Sequence, residues 1–203
     1  MDYYNKVIVA LDNMSVPMAD EIMDRYKDEV YGFKVNHTVF PYIRRKYMNN
    51  LFCDYKLFDI PSTMCSVIEH LIGAGAKMVT IHMSNNRESI KELSQYSEDI
   101  KLLGVTMLTS WDHNDSYYVY QQSIDSLYKR SIQMMEQYGF WVMICSPKDL
   151  MLLKDTKLKK ICPGIRKKGQ LSHDQIRVST PEEAINNGAD YLVMGRSFFN
   201  NDN

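Results

Sequence analysis

A chain of 203 residues, 45% hydrophobic and 24% charged, is long enough to bury one sizeable core and too short for two ordinary domains joined by a linker. Its formal net charge of −1 supplies no field for nucleic acid or an anionic membrane, so an anionic ligand must be held by local groups. The four cysteines, Cys53, Cys65, Cys145 and Cys162, form no CxxC pair and have no histidine at zinc-finger spacing, which points to reduced core thiols rather than a structural metal site.

No N-terminal run joins basic residues to an apolar segment and a small-residue cleavage site, and no apolar stretch reaches the roughly 18 residues that span a bilayer. A cytoplasmic protein is the expectation. Short β-rich runs then recur at intervals of about 20 to 30 residues, each followed by a segment that reads as helix. In chain order, strands are expected at residues 7–12, 31–36, 51–57, 78–83, 102–108, 140–145, 160–163 and 191–195. Between the first two, Met18, Ile22, Met23 and Tyr26 recur on one helical face, with Asp20, Asp24 and Lys27 largely opposite. Near the end, Thr180, Pro181 and Glu183 supply the N-cap, first-turn proline and third-position glutamate of a capping box, and Gly188 suits a stop. A helix over 181–187 follows. Eight strands with intervening helices can close into a (β/α)8 TIM barrel, which abolishes both sheet edges, so residues 1–203 are expected to form a single compact barrel of the α/β class.

Reacting groups in such a barrel belong at the C-terminal ends of the strands. Asp12 ends the first expected strand and Lys34 lies near the end of the second. Asp54 and Lys56 lie within the third, in the string "DYKLFDIPST", and Asp59 stands just past it. Period-two alternation puts Asp54 and Lys56 on one face and Cys53, Tyr55 and Leu57 on the other. A lone strand-end charge is more often a solvated or ion-paired surface group. Several aimed at one mouth form an array in which alternating signs offset the desolvation of each, and which holds Lys56 protonated and directed, as a general acid requires. At the far end of the chain, Gly195 and Arg196 follow the eighth strand, and "PGIRKKGQ" follows the seventh. These are the two loops that bind phosphate in many barrels, although a surface arginine on a terminal turn fits the spacing as well. His82 reads as a strand-end residue with a hydrogen-bonded ring, because no second ligand stands near it in the sequence. Cys145 and Ser146 have no base placed to activate them.

With these residues in place, the chain resembles the orotidine 5'-phosphate decarboxylase family nearly end to end. The strings that carry the likeness are "VALD", "FKV", "DYKLFDIPST", "VTMLTS", "CSP", "PGIR" and "DQIRVSTPEEAINNGADYLVMGRS". The wider suprafamily shares DxKxxD, whereas the following "IPST" resembles the decarboxylase. The resemblance implies that Lys34, Asp54, Lys56 and Asp59 form the catalytic tetrad, with Lys56 delivering a proton to C6 of the pyrimidine. It also implies a homodimer in which Asp59 and Thr63 reach the partner's site. Asp12 and Lys34 would meet the ribose hydroxyls and Ser110 the pyrimidine, with Pro163 among the substrate-binding residues. Gln175, Gly195 and Arg196 would hold the phosphate, the product would be uridine 5'-phosphate (UMP), and no metal or organic cofactor would be needed.

Two departures stand out. Asn36 replaces a glycine after "FKV" and is expected to take the same positive-φ turn. The chain stops at Asn203, where the family continues with a final helix, so that helix is expected to be short or missing. Two other readings remain open on the residues. One is a magnesium-dependent phosphosugar decarboxylase or synthase of the same suprafamily, against which "IPST" and "LTS" speak. The other is a non-catalytic nucleotide-binding barrel, against which the intact Lys56 and its aspartates speak.

Overall fold

The computed structural model describes residues 3–42, 50–167 and 179–199. Its eight strands are β1 (Val7–Ala10), β2 (Gly32–Val35), β3 (Leu51–Leu57), β4 (Met78–His82), β5 (Lys101–Val105), β6 (Val142–Ile144), β7 (Lys159–Cys162) and β8 (Tyr191–Met194). Each pairs in parallel with its neighbours in chain order, and β8 pairs back onto β1, so the sheet is a closed barrel. The strands are nearly continuous apolar runs because both of their faces are covered. Ile8, Phe52, Leu103, Val142, Ile161 and Val193 fill the interior, while Val7, Val9, Cys53, Val79, Leu102 and Leu192 pack outward under the helices.

The helices are α1 (Val16–Tyr26), α2 (Pro61–Gly73), α3 (Arg87–Leu93), α4 (His113–Tyr120), α5 (Ile124–Gln137), α6 (Pro181–Asn186) and the short α7 (Arg196–Phe199). After β6 a 3-10 run, Pro147–Leu153, takes the place of a helix. The capping box at Thr180 forms as its spacing predicts, with Glu183 N–H on the Thr180 side chain and Thr180 N–H on the Glu183 side chain. No helix among the described residues is long and apolar enough to cross a membrane.

Several boundaries differ from expectation. β1 stops at Ala10 and β5 at Val105, so Asp12 lies in a turn beyond its strand. The reason is that the chain leaves the rim there. Leu11 N–H donates to Lys34 O at 2.9 Å, and Asn13, at a φ of 61°, then swings the backbone towards α1. Of the face that Met18 shares with Ile22 and Met23, α1 buries Ile22 and Met23 together with Ala19, whereas Met18 is 47% exposed at the rim. Asn36 does not take a positive φ. Its Oδ1 accepts the Thr38 N–H at 3.1 Å, and its carbonyl accepts Val39 and Phe40 N–H, an Asx-type turn that needs no left-handed residue.

The N-terminal end of the barrel is floored by aromatics. Tyr31, Trp141 and Tyr191 stand at the starts of β2, β6 and β8, with ring centroids 4.2 Å apart for Tyr31 and Tyr191 and 5.5 Å for Trp141 and Tyr191. Lys101 Nζ lies 4.2 Å from the Trp141 ring centroid, a cation–π contact that completes the floor. The opposite, C-terminal end is where the barrel opens.

Candidate active site

Parallel register decides which charges meet. Ala10 aligns with Lys34 and Lys34 with Phe52, so the ends of β1, β2 and β3 lie side by side at the rim. Lys34 Nζ donates to Asp12 Oδ2 and lies 3.1 Å from Asp54 Oδ2. Lys56 Nζ donates to Asp54 Oδ1 at 2.9 Å. The result is one chain of alternating sign, Asp12–Lys34–Asp54–Lys56, running from the turn after β1 across β2 and β3.

β3 departs from regular pairing just where the array needs it. Cys53 aligns with Val79 and Leu57 with Ile81, so this stretch of β3 carries two residues more than β4 does. An excess of two preserves the alternation. Asp54 and Lys56 stay on the cavity side, while Cys53, Tyr55 and Leu57 pack against the outer core, as expected. Lys56 itself has a φ of 48°, in the left-handed region, which costs a non-glycine residue roughly 1–3 kcal/mol. Its N–H donates to Thr80 Oγ1 at 2.8 Å, and the Thr80 hydroxyl donates onward to Asp54 Oδ1 at 3.0 Å.

Electrostatics follow from burial and partners. Burial works against the ammonium of Lys34, which is 8% exposed, but Asp54 and Asp12 outweigh it, so its pKa is raised. Burial likewise pushes Asp54 upward, and Lys34 and Lys56 overcome it, so its carboxyl is held below the ordinary range. Asp12 lines the cavity, and its Oδ1 is buried with no hydrogen-bond partner among the described residues.

The cavity above the array has a volume of about 960 Å³. Ser110, from the loop after β5, lines one side, and Pro163, Gly195 and Arg196 line the side of β7 and β8. Met18 and Arg166, neither of which the sequence placed at the site, also line it. Arg166 comes from the "PGIR" string, where it read only as part of a motif. Ser197 Oγ donates to Ile165 O at 3.0 Å and so ties the loop after β7 to the loop after β8.

The remaining expected residues fall elsewhere. Asp59 does not join the array in its own chain: it is exposed, accepts the Ile60 N–H at 2.7 Å and does not line the cavity. The reason is that β3 ends at Leu57, which carries Asp59 past the rim. Thr63, in the first turn of α2, is exposed beside it. Gln175 lies outside the described residues. His82 accepts the Ser84 N–H on Nδ1 at 3.2 Å, and burial, with the charge of Lys56, lowers its pKa. Cys145 and Cys162 face each other with sulfurs 3.7 Å apart, both buried, and the mutual contact and burial hold the Cys145 thiol protonated. Among the described residues, no group of three or more His, Cys, Asp or Glu side chains is placed to hold a metal ion.

Comparison with known proteins bears directly on this arrangement. The sequence profile of the orotidine 5'-phosphate decarboxylase / HUMPS family matches residues 5–203. The orotidine 5'-phosphate decarboxylase of Dictyoglomus turgidum is 35% identical, over 97% of this chain and 89% of its own. That of Rhodopseudomonas palustris is 31% identical, over 95% and 86%. Among solved structures, orotidine 5'-phosphate decarboxylase from Pyrococcus horikoshii superposes with a TM-score of 0.74 at 24% identity, covering 97% of this chain and 92% of that one. The enzyme from Lactobacillus acidophilus gives 0.73 at 23%, covering 95% and 90%. At these identities the structural likeness is one of fold.

Proposed function

The chain belongs to the orotidine 5'-phosphate decarboxylase / HUMPS family, and we propose that it removes the carboxyl group of orotidine 5'-phosphate, releasing CO2 and leaving uridine 5'-phosphate. The observation that carries this reading is the Asp12–Lys34–Asp54–Lys56 array at the base of the cavity.

Loss of CO2 from C6 leaves an electron pair in the plane of the ring, where no adjacent π system can delocalise it. A fixed cation at that carbon stabilises the charge as it develops, and Lys56, already aimed by Asp54, then gives up a proton to form the C–H bond. Asp54 stands where the departing carboxylate would lie. Lys34, held charged between Asp12 and Asp54, fixes the orientation of both. The Asp12 carboxylate, at the cavity wall, is an acceptor for a ribose hydroxyl. Ser110 and Pro163 flank the pyrimidine, and Gly195 and Arg196, with Arg166 at the same end, hold the phosphate. Gln175 is assigned to the same phosphate group by its place in the family pattern. A cavity of about 960 Å³ accommodates a mononucleotide. Electrostatics alone supply the stabilisation, so the proposed reaction calls on no cofactor, and both aspartates of the array are already engaged by lysines.

Asp59 and Thr63 act in the partner's site of a homodimer. Their exposure, and that of Phe58 at 65% and Ile60 at 63%, supports an interface at this edge.

The test is the ultraviolet absorbance change of orotidine 5'-phosphate mixed with the purified protein in excess EDTA, with Lys56→Ala alongside. Loss of substrate in the unsubstituted protein is expected, with turnover lower by at least about 10⁴-fold in a folded Lys56→Ala protein. Turnover that EDTA abolishes would move the protein to a metal-dependent chemistry, and a near-normal rate in Lys56→Ala would remove that residue from its role.

A further inference from the structure

We propose that Thr80 is a positioning residue for both Lys56 and Asp54, acting through one buried hydroxyl. The inference rests on the decarboxylase reading above.

Thr80 sits on β4, 1% exposed, and does not line the cavity, so it cannot touch a ligand there. Its two hydrogen bonds have directions fixed by chemistry. A backbone N–H can only donate and a carboxylate can only accept, so the hydroxyl accepts from Lys56 N–H and spends its single proton on Asp54 Oδ1. Asp54 Oδ1 also receives Lys56 Nζ. One hydroxyl therefore closes a ring through the backbone and the side chain of Lys56.

Its place in the barrel explains why a side chain does this work. Thr80 lies between Val79 and Ile81, the residues that bracket the stretch where β3 runs two residues long. The Lys56 amide points at a side chain there, and the left-handed φ of Lys56 needs an anchor to persist. Asn85, 7% exposed, secures the next carbonyl by donating to Leu57 O at 2.9 Å. The irregular segment is thus held from β4 on one side and from the turn after β4 on the other. Without the hydroxyl, the Asp54 carboxylate can rotate and the Lys56 backbone can relax, and a displacement of about 1 Å at the reacting groups is worth on the order of 10² in rate.

The experiment measures kcat and KM for orotidine 5'-phosphate in the unsubstituted protein, Thr80→Val and Thr80→Ser, with circular dichroism and melting run beside them. Thr80→Val keeps the shape and removes the hydroxyl. It is expected to lower kcat by about 10²-fold with KM changed less than about threefold, and Thr80→Ser is expected to stay within about threefold of the unsubstituted rate. A Thr80→Val protein within threefold in kcat overturns the proposal, as does a loss confined to KM, or a Thr80→Ser protein as slow as Thr80→Val. If Thr80→Val does not fold, Thr80→Cys replaces it as the weak donor, and equal rates for the serine and cysteine proteins overturn the proposal. No turnover in the unsubstituted protein refutes the decarboxylase reading itself, and this inference with it.

Discussion

Asp54 collects three partners on two oxygens, Lys34 on Oδ2 and Lys56 with Thr80 on Oδ1. Burial raises its pKa and the two lysines more than reverse that, so the folded value lies below the ordinary 3.8. A depressed carboxylate contributes stability that is present above the unfolded value and is lost as pH falls through the folded one. Lys34 works in the opposite direction: with a raised pKa, its contribution is present below the ordinary 10.5 and is lost as pH rises through the folded value. Melting followed from pH 7 down to pH 2 should therefore show a falling stability that Asp54→Asn shares only weakly. At pH 7, Asp54→Asn should be less stable by on the order of 3 kcal/mol, since it leaves Lys34 buried beside one carboxylate, and the two curves should converge in acid. An equally steep acid limb in Asp54→Asn would assign the loss to other carboxylates. Asp54, Lys56 and Lys34 were legible in the sequence because alternation and parallel register follow from strand geometry alone. Thr80 was not, because a threonine in "MVTIHM" is what any strand prefers, and only the bulge opposite turns its hydroxyl into an anchor.

At the scale of the elements, the barrel leaves little room where β2 meets the start of β3. A Cβ on Gly32 would lie 2.3 Å from Asn50 O, and Asn50 cannot give way easily: its φ is 55° and its Nδ2 donates to Tyr31 O at 2.8 Å. A Cβ on Gly104 would lie just as close to Met135 Sδ, at 2.1 Å, but that atom is the far end of a flexible side chain. Gly32→Ala should lose about 3 kcal/mol in urea unfolding and Gly104→Ala about 1 kcal/mol, and a reversed order would show that Met135 is the more rigid neighbour. The capping box of α6 and the eight-fold strand rhythm could be read in advance because each is written in local spacing. Strand ends could not. Apolar residues such as Met107 and Leu108 continue past the last ladder bond to line the cavity, so hydrophobicity runs on after the strand has stopped.

The whole molecule separates its two ends. Side chains that could do chemistry gather at the C-terminal rim, and the opposite end is sealed by Tyr31, Trp141 and Tyr191. The proposed homodimer adds a second level to that rim, since Asp59 is exposed between Phe58 and Ile60 and outside its own cavity. Lys56→Ala and Asp59→Ala proteins, each weakly active alone, should regain activity when mixed and allowed to exchange subunits, because half of the sites in a mixed dimer then combine Lys56 from one protomer with Asp59 from the other. No recovery after demonstrated exchange would place Asp59 outside the partner's site. The pairing of β8 with β1 carries a consequence for how the chain is made. Val7 must find Leu192, so the last seam of the barrel joins partners at nearly the greatest separation the chain offers. Until that seam forms, both strands present unpaired edges. Refolding should accordingly run on a scale of roughly milliseconds to seconds and lose yield as protein concentration rises, with chains meeting edge to edge before each has closed upon itself.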